Sequence, residues 1–329
     1  MVRRALVLIA LAWLPTVGAS LRFWRGSTLP RFGVPAPWSP EVRRLDASPG
    51  AYDLALDPAG AWLVVTHAHA RGDENGVAVL DLETGARYWT KLEHDSALYV
   101  SHLGDRAIVH DAHHGGLEVK RDGTTTALPS HAFRSAVTAA GELVTVERFA
   151  PWLWWRGRPF RLPDPIGPPD EVRLDVDGRT AWVRGDCGDT LARVDLKAGT
   201  VEAIHDRRFS WGLAPRDGGG VYETHAVAGR LVERNRSGAI VRERFVGGFP
   251  REVVRLEGSP WLAVGQYLGG VVLVIDVATL ETVARVPAAW HVRGIAWDRE
   301  RKRLYFTDSA GVEVAELGEG LALPPPPFV

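Results

Sequence analysis

The chain has 329 residues, 46% of them hydrophobic and 24% charged, with a formal net charge of -1. That composition excludes a disordered chain and is ample for a buried core. Acidic and basic residues are interleaved, so no electrostatic footprint for a phosphate backbone exists and nucleic acid is not expected as a partner.

The first nineteen residues carry Arg3 and Arg4, an apolar run from Ala5 to Leu14, and small residues at Val17, Gly18 and Ala19. This three-part pattern predicts a secretory signal peptide over 1–19 and a periplasmic or secreted setting. An uncleaved anchor is the alternative, though the run is shorter than the roughly 20 residues a bilayer core needs. Residues 20–40, rich in Pro and Gly, read as an N-terminal arm. The single cysteine, Cys187, allows no internal disulfide, and its acidic neighbours oppose use as a nucleophile.

From residue 41 the chain alternates apolar and polar residues in short runs separated by turn residues, the period of β-strands. GVAVLDLETGARYWTKL, residues 76–92, is echoed by GVVLVIDVATLETVARV, residues 270–286. AYDLALDPAGAWLVV precedes the first copy, and TAWVRGDCGDTLARVDLKAGTVEAI repeats the same order in mid-chain. Seven units result, starting at Pro49, Glu93, Pro129, Pro163, His205, Val246 and Pro287. Their spacing is close to the roughly 40 to 45 residues of a four-stranded propeller blade. The seventh unit lacks a fourth strand, whereas EVRRLDA, residues 41–47, reads as one. The expectation is an all-β, seven-bladed β-propeller over 41–317 whose last blade is closed by an N-terminal strand, followed by a Pro-rich tail over 318–329. PPPP at 324–327 would be a stiff, extended piece of that tail.

VAVLDLETGARYWTKL and VLVIDVATLETVARV, with AYDLALDPAGAWLVV and RGIAWDRERKRLYFTD, resemble the YVTN type of repeat. The resemblance implies an exported bacterial propeller, and no catalytic signature comes with it.

Within this scheme the connections into first strands and the loops after second strands open on one face, the top, and ten of the eleven histidines fall there. His94, His131, His205 and His291 are assigned to connections near the axis. His67, His69, His110, His113 and His114 follow second strands and are the candidate metal ligands, for zinc or copper. His225 joins them on this face, and His102 is placed at the bottom. The opposing reading is that these imidazoles bond neighbouring strands and lock blade to blade. Arg134, Arg251 and Arg293 are expected near the channel, with Asp170 and Glu171 across from them. They either pair around a wet tunnel or form a funnel that recognises a carboxylate or phosphate. WLWW at 152–155 is read as packing between blades rather than a sugar platform.

No nucleophile elbow, P-loop or dinucleotide fingerprint is present. Two functions therefore stand: an exported, monomeric module binding a protein, peptide, cell-envelope ligand or small anion on its top face, or a histidine- or metal-dependent enzyme in the same funnel. The second would be a lyase, hydrolase or oxidoreductase.

Overall fold

Every repeat folds as a four-stranded antiparallel sheet, and seven such sheets make the ring. The structure, a computed structural model, describes residues 40–48, 50–68, 75–92, 97–111, 115–128, 132–185, 188–205 and 210–318, with the side chains of 97 and 98 excepted. The expected signal peptide, arm and Pro-rich tail, together with His69, His94, His113, His114, His131 and Cys187, lie outside the described residues. Among the described residues no helix is long and apolar enough to cross a membrane.

From the axis outward the innermost strands are Ala51–Leu56, Ala97–Leu103, Ala132–Val137, Pro169–Leu174, Ser210–Pro215, Pro250–Leu256 and Ile295–Asp298. The ring closes as expected: Val42–Asp46 pairs antiparallel with Gly311–Glu316 and supplies the outer strand of blade 7. Closure gives the last blade's exposed edge a partner and ties the two ends of the fold together. Arg44 of that strand lies 3.7 Å from Glu313 of its neighbour.

The sequence echo between blades 1 and 6 has a local cause. In DLETG the Asp81 carboxylate accepts from the backbone N–H groups of Glu83 and Thr84, and Gly85 (φ 75°) donates to the Asp81 carbonyl at 2.9 Å. DLKAG repeats this with Asp195 and Gly199. In DVATL the same left-handed position is filled by Leu280 (φ 59°), which is buried against Leu262, Leu273 and Ile275. Burial of a leucine, worth about 1.5–3 kcal/mol, offsets a backbone cost of roughly 1–2 kcal/mol.

Blade faces pack on one another through aliphatic clusters. Between blades 6 and 7, Val272, Val274 and Ala284 meet Val292, Leu304 and Phe306, all essentially without solvent exposure. Polar staples add to this at one recurring position, the penultimate residue of the second strand. Thr224 Oγ1 receives the Gly212 N–H at 2.8 Å and donates to the Arg251 carbonyl of the next blade at 2.7 Å. Thr307 does the same between Gly294 and the Tyr52 carbonyl, joining blade 7 to blade 1. Arg184 reaches the Ser210 carbonyl at 2.9 Å, and His110 Nε2 lies 2.7 Å from Ser135 Oγ of blade 3.

Candidate functional site

In six of the seven blades the pairing of innermost and second strands shifts register near the top end. Such a bulge breaks the alternation that would send consecutive side chains to opposite faces. Consecutive residues therefore both make contacts across the channel: Tyr52 and Asp53, Asp170 and Glu171, Arg251 and Glu252. In blade 7, Arg293 and Gly294 pair with Thr307 just before the strand proper.

The second member of each pair joins a lower network that forms a floor. Arg134 is 2.7 Å from Glu171 and 3.5 Å from Glu252, and its guanidinium lies over the Tyr99 ring at 4.2 Å. Arg173 bridges the same two carboxylates at 2.9 and 3.0 Å. Asp53 accepts the Val100 N–H at 3.1 Å. Blades 1, 2, 3, 4 and 6 are thus tied together beneath the funnel. Burial, with Glu252 nearby, pushes the Asp53 carboxyl up to about 6 against the pull of Arg134. Burial and Glu252 likewise push Glu171 up to about 7, opposed by Arg134 and Arg173.

The first members make the upper tier. Arg251 donates to the Tyr52 hydroxyl at 2.9 Å and lies over the rings of Trp211 (4.5 Å), Tyr267 (5.3 Å) and Tyr52 (5.4 Å). Arg293 donates to the Tyr267 hydroxyl at 3.2 Å and covers the Tyr52 ring at 4.4 Å. Across the channel Asp170 receives the Arg184 guanidinium at 2.9 Å and the Tyr99 hydroxyl at 3.2 Å, with Arg148 at 3.9 Å. Burial alone would raise the Asp170 carboxyl, but Arg184, Arg134 and Arg251 hold it below its ordinary range. Burial would also raise the Tyr52 phenol, yet Arg251 and Arg293 bring it below 10.

The decisive asymmetry lies between Arg134 and Arg251. Both are buried, 6 and 7% exposed, but Arg134 is paired with two glutamates whereas Arg251 has no carboxylate within ion-pair distance among the described residues. A buried guanidinium surrounded by phenols and an indole is a charge awaiting a partner.

The three arginines singled out in the sequence do line the channel, though at two levels. The described histidines do not converge. His67 is buried edge-on against Trp89 at 4.9 Å. His110 is a blade staple, kept neutral at about 4 by burial and Arg134. His225 faces Glu223 at 3.1 Å in a buried cluster with Arg234. His205, expected near the axis, ends an outer strand, is exposed and pairs with Thr190 at 3.1 Å. His291 does reach the site but as backing: it is buried behind Tyr267, ring centroids 4.4 Å apart, and burial with Arg293 and Arg251 holds it at about 3. At the bottom, His102 packs on Trp62 at 4.5 Å. Among the described residues no three His, Cys, Asp or Glu side chains are placed to share a metal ion. The aromatic members of the site, Tyr52, Trp211, Phe249 and Tyr267, were not singled out in the sequence. The signal available was position: Tyr52 and Trp211 hold the place in their repeats that Arg251 holds in blade 6.

No protein-family model matches the chain, and no curated protein matches it in sequence. Solved structures share the fold. A catalytically inactive virginiamycin B lyase from Staphylococcus aureus with quinupristin is 12% identical, with 84% of this chain and 99% of that one covered and a TM-score of 0.68. A streptogramin B lyase is 12% identical over 83% of this chain and 96% of its own, with a TM-score of 0.67. A chain of the mitotic checkpoint complex is 11% identical over 88% and 99%, with a TM-score of 0.69. The chain is a seven-bladed β-propeller, and at these identities the likeness extends to the fold alone.

Proposed function

We propose that the protein is a binding module that captures the anionic group of a ligand at the top of its channel, on Arg251 and Arg293. The observation that carries this reading is Arg251: a guanidinium buried with no carboxylate in reach among the described residues, held in position by the Tyr52 hydroxyl and three aromatic rings. Guanidinium suits carboxylate and phosphate because its planar fork offers paired donors. The leader read over residues 1–19 and the resemblance of the repeats to YVTN propellers support a periplasmic or secreted setting for this ligand capture.

Anion binding to the folded state alone raises the melting temperature in proportion to occupancy. Inorganic phosphate or benzoate should therefore raise the melting temperature of the wild-type chain, and the Arg251→Met variant should show no such rise. Equal shifts in both proteins would contradict the reading.

An enzyme in the same funnel is the second reading, and Tyr52 is what favours it. Its hydroxyl lies 2.9 Å from Arg251, and two guanidiniums favour its phenolate, the form able to accept a proton from a bound substrate. Tyr52→Phe separates the two readings. Retained anion affinity with no change in the fate of any bound ligand fits a binder, whereas loss of turnover with affinity kept fits an enzyme. The histidine-based form of the enzyme reading now rests on His69, His94, His113, His114 and His131, outside the described residues.

A further inference from the structure

The two guanidiniums do not stand alone at the mouth of the funnel. Trp211 and Tyr267 present nearly parallel rings, 18° apart with centroids separated by 6.4 Å. Phe249 closes the group, at 5.6 Å from Trp211 and 6.2 Å from Tyr267. All three side chains are only partly buried, although Trp211 and Tyr267 lie against the buried Arg251.

The wall is held rigidly. Phe249 (φ 57°) and His291 (φ 65°) both adopt the left-handed backbone region that bulky residues rarely occupy. Both are fixed through the backbone of Tyr267, whose N–H donates to the Phe249 carbonyl at 3.0 Å and whose carbonyl accepts from His291 at 2.8 Å. Just before Phe249, Gly248 (φ 61°) packs on the Gln266 amide, where a Cβ would come within 2.0 Å of Oε1 and oblige that side chain to move. Gln266 in turn donates to the Val246 carbonyl at 2.7 Å. Left-handed non-glycine residues persist where their surroundings over-determine them, and they concentrate at ligand clamps.

From this wall beside Arg251 and Arg293 we infer that the ligand is a small aryl or heteroaryl carboxylate or phosphate: its anion lies on the two guanidiniums and its flat ring packs, by face or by edge, against Trp211, Phe249 and Tyr267. The inference rests on the anion-binding reading above and adds the ligand's body to it. Flat π-systems gain from offset or edge contact with rigid aromatic faces, a gain that a puckered saturated ring of equal size cannot reproduce. Preformed walls also spare the ligand the cost of ordering them.

Calorimetric titration of the full chain with matched probes tests this: phenyl phosphate against cyclohexyl phosphate, benzoate against cyclohexanecarboxylate, and inorganic phosphate alone. At least one aromatic probe should bind tenfold or more tightly than its saturated twin. Trp211→Leu, and separately Phe249→Leu, should narrow that ratio to threefold or less; circular dichroism and melting temperature confirm that each variant is folded. Aromatic and saturated twins of equal affinity would overturn the aryl inference while leaving anion capture standing. Failure of every probe, inorganic phosphate included, would remove both.

Discussion

Arg134 and Arg251 are both buried arginines of the central channel, and their replacement by methionine should have very different consequences for stability. Arg134→Met leaves Glu171 and Glu252 sharing Arg173 alone, in a site where Glu171 is 1% exposed. Removing one partner from a buried ion pair costs about 3–5 kcal/mol, because the stranded charge keeps its desolvation penalty. For a domain of this size each kcal/mol moves the melting temperature by roughly 2–4 °C, so a fall of roughly 6–20 °C is expected. Arg251→Met loses one hydrogen bond to Tyr52 and its ring contacts but also removes a buried charge that no described carboxylate compensates. The net change should stay within about 1 kcal/mol in either direction. Thermal melts of both variants at pH 7.5 in a buffer free of carboxylate and phosphate are the assay. A destabilisation by Arg251→Met as large as that of Arg134→Met would refute the view that Arg251 is held for a ligand and not for the fold.

Other outcomes follow from the same physics. Asp53, raised to about 6, and Asp308, raised to about 7 by burial and by Glu313, bind more protons folded than unfolded. Their stabilisation, with that of Glu171, is lost as pH rises through 6 and 7. His102, His110 and His291, held by burial at about 4, 4 and 3, instead bind fewer protons folded than unfolded and cost least above about 6.5. The two sets nearly cancel, so stability should change by no more than about 2 kcal/mol between pH 5 and 8. Glu223, which burial would raise but His225 and Arg234 hold at about 2, loses its stabilisation in acid, so stability should fall as pH drops below about 4; denaturant melts across pH 3 to 9 would show a plateau from about 5 to 8 and that acid loss if this is right. Thr224→Val strips two buried hydrogen bonds from the staple between blades 5 and 6 and should cost about 1–3 kcal/mol, read from the urea midpoint. Deleting residues 41–47 opens the edge of blade 7 and should lower the melting temperature of the whole ring in one transition, with no separate early melting of one blade.

The fold was legible because each blade must bury two sheet faces, which forces alternation on every strand, and because turns such as DLETG carry their Asp and Gly at fixed offsets. The missing strand after Leu317 likewise pointed to Val42–Asp46. The channel arginines could be found because they begin innermost strands. What could not be read was the level each occupies. Bulges shift the register there, so Arg251 and Glu252, adjacent in sequence, enter different networks. The same irregularity concealed Trp211, which alternation alone assigns to blade packing, and Phe249, whose left-handed backbone depends on contacts from Tyr267. Position misled in the case of His110. Its place near the top after a second strand suggested a ligand, yet the equivalent residues Thr224, Thr307 and Arg184 show that the place belongs to blade-to-blade bonding.

The central claim is that Arg251 is an anion receptor, and the most direct measurement is the calorimetric affinity of benzoate or phenyl phosphate for the wild-type chain and for Arg251→Met, each at 50 and 300 mM salt. Measurable one-to-one binding by the wild type that weakens with salt is expected, with a loss of at least thirtyfold in the variant. An affinity that Arg251→Met leaves unchanged would contradict it.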